Sequence, residues 1–337
     1  MKKTYIYRYN KIVFKTIVDF DKETIDFSIF NPEKSEKPES LYKYYSISQN
    51  SVDALINHYL FAAHQKNLND KYDCAPEIID YSNFTLDSFI RFLSDEIQIL
   101  NEEQIKTLYE SDEKWQLYRL MEDMYHLKIY SRFGIISLTE SVNDLLMWAY
   151  YSKNSGFTIK LKTSELPKNL FGPFPITYTP NLDKIDSSRN HPSICVLYQS
   201  NIKHNLWKNE NEWRYLSYSK DNYHPFYAPS KINSRKLNYS TKAIEEIILG
   251  YNFFNEKEIM LKERKKEYDI INLSKKKNNV YMKKLKRKIL NFIIDNDIYC
   301  TQIVRKKTEY KLDRAELKIE KISSNRFKIY NSFKTIL

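Results

Sequence analysis

Apolar and polar positions along this chain follow two different periods, and the switches between them set the order of its elements. Residues 4–9, 12–20 and 24–30 are short runs rich in β-branched and aromatic side chains, and in the third Ile25, Phe27 and Ile29 alternate with polar neighbours. A period of two places such side chains on one face of a strand, so the runs predict an N-terminal β-meander. Residues 31–40 are polar, hold two prolines and have no period, which predicts a loop and a boundary near residue 40.

Residues 41–46 then read as an aromatic strand, and Ser48, Asn50 or Ser51 can cap a helix through Val52, Leu55, Ile56 and Tyr59. A short strand at 60–63 and a polar turn at 66–70 follow. Across residues 85–130 the period becomes helical. Phe89, Phe92, Leu93, Ile97 and Leu100 make one stripe, and Leu117, Leu120, Met121, Met124 and Leu127 make another, both read as core. Strands are predicted at 133–138, 157–162, 213–219 and 244–250, with a helix at 142–152 closed by Gly156 as a left-handed cap. Pro167, Pro173, Pro175, Pro180 and Pro192 predict an irregular stretch between them. Helices at 255–268 and 280–294 and strands at 298–305 and 309–322 complete a mixed α+β chain. Its expected organisation is a meander and loop at 1–40, a main domain at 41–273 with a helical insert at 85–130, and a basic C-terminal helix and strands at 274–337.

Charge changes this picture at one place. The net charge of +11 is concentrated: between residues 255 and 290 thirteen Lys or Arg face five Asp or Glu, and the rest of the chain is nearly balanced. Lys275, Lys276, Lys277, Lys283, Lys284, Lys286, Arg287 and Lys288 run together with no acid before Asp295, while Met282, Leu285, Ile289, Phe292 and Ile293 keep helical spacing. The expectation is an amphipathic basic helix that grips nucleic-acid phosphates through Lys283, Lys284, Lys286, Arg287 and Lys288, or else a solvated helix face. Cys74, Cys195 and Cys300 are odd in number and far apart, and the six histidines lack zinc spacing, so neither a disulfide framework nor a metal site is expected. No secretory h-region is read at the start and no apolar run nears the ~20 residues of a membrane span, which predicts a cytoplasmic protein without membrane contact. Phosphate-loop, dinucleotide-glycine and nucleophile-elbow motifs are missing from the sequence.

The candidate chemistry lies in Glu210-Asn211-Glu212-Trp213-Arg214. In an extended chain Glu210 and Glu212 share one face, where their like charges raise a pKa unless a cation or a sugar hydroxyl sits between them. Arg214 is a possible internal cation. A self-neutralising solvated edge strand is the competing reading. Asn69-Asp70 can position a loop over a pocket or simply form a turn. Trp148, Tyr150 and Tyr151 can stack a ring or pack as core.

Four segments in order resemble a large bacterial family of domains of unknown function, family 2971. They are Leu41-Tyr42-Lys43-Tyr44, Asn69-Asp70, Leu146-Met147-Trp148-Ala149-Tyr150-Tyr151 leading to Gly156, and Trp207 with Glu210 to Arg214 followed by Ile247-Ile248-Leu249-Gly250. The layout of strands and helices is also distantly similar to ADP-ribosyltransferases. That resemblance implies a split mixed sheet, NAD as substrate, Glu212 as the glutamate that stabilises an oxocarbenium-like transition state and Glu210 as the acceptor-side residue. It places Lys43, Tyr44, His64, Asn69, Asp70 and Tyr151 as cofactor-binding positions. The sequence departs from the pattern on the first strand, where such enzymes carry Arg or His, and on the second, which reads Phe61-Ala62-Ala63-His64. The implied function is a bacterial effector that transfers ADP-ribose to an unknown protein or nucleic-acid acceptor, in phage defence or toxin systems. The alternative is a non-enzymatic nucleic-acid-binding or scaffolding module with a degenerate site.

Overall fold

A computed structural model describes residues 1–96, 99–125, 132–218, 235–255, 257–260, 267–274, 280–306 and 308–331. The alternating N-terminal runs form an antiparallel sheet of β1 (Lys2–Tyr9), β2 (Ile12–Asp19) and β3 (Thr24–Phe30), with β2 in the middle. Phe14 and Phe27 are buried from this sheet, each against aromatic neighbours in the rest of the chain: Phe14 packs on Tyr198, and Phe27 on Phe133 and Phe171.

The main sheet draws on elements spread over the rest of the chain. They are β4 (Ser40–Tyr45), α1 (Gln49–Ile56), β5 (Tyr59–Phe61), β6 (Ile79–Asp80), α2 (Leu86–Phe89), α3 (Glu102–Glu110), α4 (Trp115–Met124), β7 (Phe133–Thr139), α5 (Leu145–Ser152), β8 (Phe157–Lys162), β9 (Phe171–Pro175), β10 (Thr177–Thr179), β11 (Ile185–Asp186), α6 (Pro192–Gln199), β12 (Ile202–His204), β13 (Glu212–Tyr218), β14 (Lys236–Asn238), β15 (Ile244–Leu249), β16 (Tyr268–Asn272), α7 (Val280–Asp295), β17 (Cys300–Arg305), β18 (Leu312–Ser323) and β19 (Arg326–Asn331). Ten strands run in the order β16-β19-β18-β17-β15-β8-β4-β7-β13-β9. All neighbours are antiparallel except β15 and β17. The fold class is therefore mixed α+β, and the C-terminal strands extend the same sheet as the central ones.

Period-two alternation decides what each face of the sheet meets. Trp213 and Tyr215 of β13 enter one core with Val52 and Leu55 of α1 and Leu285, Ile289 and Ile293 of α7. Leu216, on the other face, joins Ile194 and Val196 of α6 and Leu117 and Met121 of α4. Each such buried aliphatic or aromatic side chain contributes ~1.5–3 kcal/mol relative to exposure. Glu212 and Arg214 share Leu216's parity, so the strand carries them toward the second side. At the centre, β4 meets β7 through a single residue pair, Tyr42–Thr139. Beyond that pair the strands part.

Several elements differ from the sequence reading. The helical stretch at 85–130 is broken into α2, a wide turn at Ile90–Glu96, α3 and α4, because Asn101 opens α3 with a capping box to Gln104. Ile97 and Leu127 lie outside the described residues. The helix expected at 255–268 is not formed at its described positions; Ile259 bridges Ile271 and Tyr268 begins β16, so strand pairing overrides the helix propensity of a Lys/Glu-rich segment. The proline-spaced stretch is ordered. Pro173 and Pro175 sit in β9, an edge strand where a missing N–H is tolerated, and Pro192 occupies the first turn of α6. The left-handed residues after α5 are Lys153 and Asn154 instead of Gly156. Gly156 is needed for close approach, since a Cβ there would stand 1.9 Å from the Tyr45 carbonyl oxygen.

Trp148 ties α5 to the sheet: it is fully buried, lies edge-on to Tyr44 at 5.1 Å between ring centroids, and donates from Nε1 to the Val142 carbonyl at 2.7 Å. Trp148→Ala is expected to cost about 3–5 kcal/mol, read as a lowered denaturant midpoint. An unmoved midpoint would show that α5 is held by other contacts.

Candidate functional site

The site is built around one turn of backbone. Residues Asn205–Glu210 form a 3₁₀ turn, Asn211 takes a left-handed conformation (φ 44°), and β13 begins at Glu212. The two glutamates therefore do not lie on one extended strand face. The left-handed residue turns the chain so that both carboxylates reach the same ammonium, Lys203 on β12. Lys203 Nζ donates to Glu210 Oε2 at 2.5 Å and to Glu212 Oε2 at 2.9 Å, and stands 3.7 Å from Asp73 Oδ2. The Glu212 amide donates to the Tyr178 hydroxyl at 3.0 Å, which fixes the start of the strand against β10.

Arg214 completes the cluster. Its Nε donates to Glu212 Oε1 at 2.7 Å and its Nη2 to Glu212 Oε2 at 3.1 Å, while Nη1 donates to Asp73 Oδ1 at 2.8 Å and to the Ser200 carbonyl at 2.9 Å. Nη2 also donates to Asp73 Oδ2. The planar fork of guanidinium donors suits two carboxylates at once, a geometry an ammonium could not supply. Asp73, Lys203, Glu210, Glu212 and Arg214 are all buried. Buried ions at this density are tolerable only because each has a partner.

The electrostatics separate the two glutamates. Burial alone would raise the pKa of Glu212, but Arg214 and Lys203 override it and hold the carboxyl at about 2. Burial raises the pKa of Glu210 and the Glu212 charge adds to this, with Lys203 opposing. Tyr151 donates its hydroxyl to Glu210 Oε1 and accepts from Asn69 Nδ2 at 3.3 Å. Lys43 differs from the other cations. Its Nζ donates to the Ser137 carbonyl at 2.8 Å and has no carboxylate in ion-pair contact among the described residues. Burial pulls its pKa down to about 8 against the opposing effect of Glu212.

These groups meet at a cavity of about 80 Å³ where β4 and β7 part, lined by Tyr42, Lys43, Tyr44, Asn69, Tyr151, Glu210 and Glu212 among others. Tyr151, Met147 and Glu210 also line a second cavity of about 230 Å³, walled by Leu146, Tyr150, Leu206 and Trp207. Tyr150 and Trp207 both line it and lie edge to face, with ring centroids 6.5 Å apart.

Six sequence candidates, Lys43, Tyr44, Asn69, Tyr151, Glu210 and Glu212, thus converge on one cavity. Tyr44 does so with its ring, since its hydroxyl is spent on the Ser141 and Val142 carbonyls. His64 is buried but is not part of the lining. Asp70 is also outside it and accepts from the Tyr72 amide, shaping the turn that carries Asp73. In the basic helix, Lys286 is buried and paired with Glu258 at 2.7 Å, so it belongs to the core instead of the exposed face. Lys283 is half-buried and reaches the Ser274 carbonyl at 3.5 Å. Lys284, Arg287 and Lys288 remain on the outer side, and Lys275, Lys276 and Lys277 lie outside the described residues. Asp73 and Lys203 were not singled out in the sequence; the one signal was the demand of two nearby glutamates for a cation.

Residues 147–215 match the model of a family described as proteins of unknown function, DUF2971. The matched segment starts in α5 and ends in β13, so it holds Tyr151, Lys203, Glu210, Glu212 and Arg214 but neither Lys43 nor Asp73. No curated protein and no solved structure matches the chain.

Replacing Lys203 by Met would leave Glu210 and Glu212 buried with a single cation between them. The expected cost is about 3–5 kcal/mol at neutral pH, measured by urea unfolding. Glu212 has a depressed folded pKa, so its ionic contribution is present above the ordinary carboxylate value of 4.5 and is lost as pH falls toward about 2. The deficit of Lys203→Met should therefore shrink as pH drops below that value and the stranded carboxylates take up protons. A deficit independent of pH would mean that Lys203 acts through packing.

Proposed function

We propose that the chain is an ADP-ribosyltransferase-like enzyme that cleaves the nicotinamide–ribose bond of NAD and passes ADP-ribose to an acceptor. The observation that carries this reading is the convergence of Glu212, Glu210, Tyr151 and Lys43 on one small cavity that shares Met147, Tyr151 and Glu210 with an aromatic-lined neighbour. A carboxylate that stays ionised far into acid suits the stabilisation of positive charge developing on a sugar. Glu210, with its raised pKa and its hydrogen bond from Tyr151, suits a proton acceptor for the incoming nucleophile. In the step proposed, the glycosidic C–N bond breaks with its electron pair leaving on nicotinamide. The acceptor heteroatom bonds to the ribose carbon, and its proton passes to Glu210. Tyr150 and Trp207, set edge to face, give this second cavity an aromatic lining.

One observation favours the second reading, a binding or scaffolding module in which the cluster is structural. Both oxygens of Glu212 already accept bonds from Arg214, and Lys203 takes one of them as well. Nothing in that arrangement requires a substrate.

Release of nicotinamide from NAD by the pure protein separates the two. The cleanest variant is Tyr151→Phe, which removes one hydroxyl from the cavity lining and leaves the ion pairs of Glu210 and Glu212 in place. The enzyme reading expects turnover in the native protein and a fall of roughly 10²-fold or more in Tyr151→Phe, with melting temperature nearly unchanged. Glu212→Gln should also stop turnover, but it breaks a buried pair and lowers stability, so the near-neutral effect expected of a surface glutamate does not apply. Absence of nicotinamide release and of ADP-ribose transfer in the native protein would favour the structural module.

A further inference from the structure

The outer face of α7 offers a second, chemically distinct site. Lys284, Arg287, Lys288 and Asn291 are spaced i, i+3, i+4 and i+7, so they form one stripe, while Leu285, Ile289, Phe292 and Ile293 bury the opposite side. The stripe does not stand alone on a convex surface. The turn between β18 and β19 rises beside it, and Ser324 and Asn325 close a cleft of about 470 Å³ whose lining holds three cations, three neutral polar residues and no acid. The turn is anchored from below, because the Leu273 amide donates to the Asn325 carbonyl at 2.8 Å. The Asn325 side chain accepts from Arg287 Nη1 and so orients the guanidinium, leaving Nη2 and Nε without a carboxylate among the described residues. Lys284 and Lys288 likewise have no carboxylate partner there.

We propose that this cleft binds the phosphates of a single-stranded nucleic acid. Three positive charges held within one turn of helix repel one another, and a ligand with closely repeated negative charge relieves that repulsion while releasing its own counterions. A planar guanidinium fixed at one nitrogen presents the remaining donors to phosphate oxygens, and the lysines on either side add charge without geometric demand. The three cations are spread along an open face instead of converging on one point, which suits a strand over an isolated inorganic ion. The inference drops Lys286 and Lys283 from the basic run and adds Ser324 and Asn325, which lie some forty positions away and show no basic signal in sequence. It does not depend on the Glu212 site being active.

The test is fluorescence anisotropy of a labelled oligothymidylate of about 16 nucleotides, titrated across salt concentration. Three proteins are compared: the native chain, Lys284→Gln/Lys288→Gln, and Lys11→Gln/Lys208→Gln. The last removes the same charge from the groove beside β1 and β2. Melting temperature confirms folding of each. The expected result is salt-dependent binding by the native chain, with log affinity falling by roughly 0.7 per phosphate contact per decade of salt. The α7 variant should bind at least ~10-fold more weakly with a shallower slope, and the groove variant should match the native chain. Equal weakening of both variants would reduce the effect to bulk charge and overturn the site. No binding by the native chain would overturn it too. A second arm uses adenosine monophosphate: displacement of the strand by it, with no gain in affinity from longer strands, assigns the same phosphate chemistry to free nucleotides, and failure to displace assigns it to the strand.

Discussion

The chain from Asp73 through Arg214, Glu212 and Lys203 to Glu210 is the constraint around which the centre of the molecule is arranged. It joins the turn after Asp70, β12, the 3₁₀ turn before β13, and β13 itself. Its ions are shielded from water. Removing any one member leaves a buried charge without its partner, a far larger loss than breaking a surface pair. The left-handed Asn211 lies inside this chain of charges, between the two glutamates that share Lys203.

This arrangement couples any chemistry at the cavity to the fold itself. Glu212 faces the cavity at the open end of the β4–β7 divide, yet its orientation is fixed from behind by Arg214, whose far side is fixed by Asp73. Preorganisation of that kind removes the need to reorient a carboxylate during a reaction. It also lowers the basicity of Glu212, leaving Glu210 as the better proton acceptor of the pair. Two glutamates one residue apart in sequence end with opposite pKa shifts because only one of them lies between both cations.

The parts of this fold that were legible in sequence are those where local pattern and tertiary packing agree. The alternation of the meander and β8 and the 3.6 period of α7 show in sequence, β4, β7, β13, β15 and α5 stand out as apolar runs, and Trp148 and Trp213 are buried. The proline-spaced stretch was opaque because proline forbids a central strand but permits an edge strand or a helix start, and only the assembled sheet decides which. The segment around Ile259 was misread for the opposite reason: its charged residues favour a helix locally, while pairing with Ile271 is a long-range gain. In the site, Glu210, Glu212, Tyr151 and Lys43 were marked by residue type. Asp73 and Lys203 carry no pattern of their own. They could be located only by asking where the countercharge for two acids comes from, and a sequence does not say which of many lysines folds inward.

Lys43 completes the charge balance without completing the contacts. Asp73, Glu210 and Glu212 bring three negative charges, and Lys203 and Arg214 bring two positive ones in direct contact, so Lys43 is the third cation. It is placed across the cavity, hydrogen-bonded to a carbonyl rather than a carboxylate. Burial pulls its pKa down to about 8, whereas the carboxylates around Lys203 and Arg214 raise theirs, so Lys43 is the cation whose charge is held least strongly. Lys43 thus adds charge to the cavity without joining the chain of ion pairs that fixes Glu212 from behind.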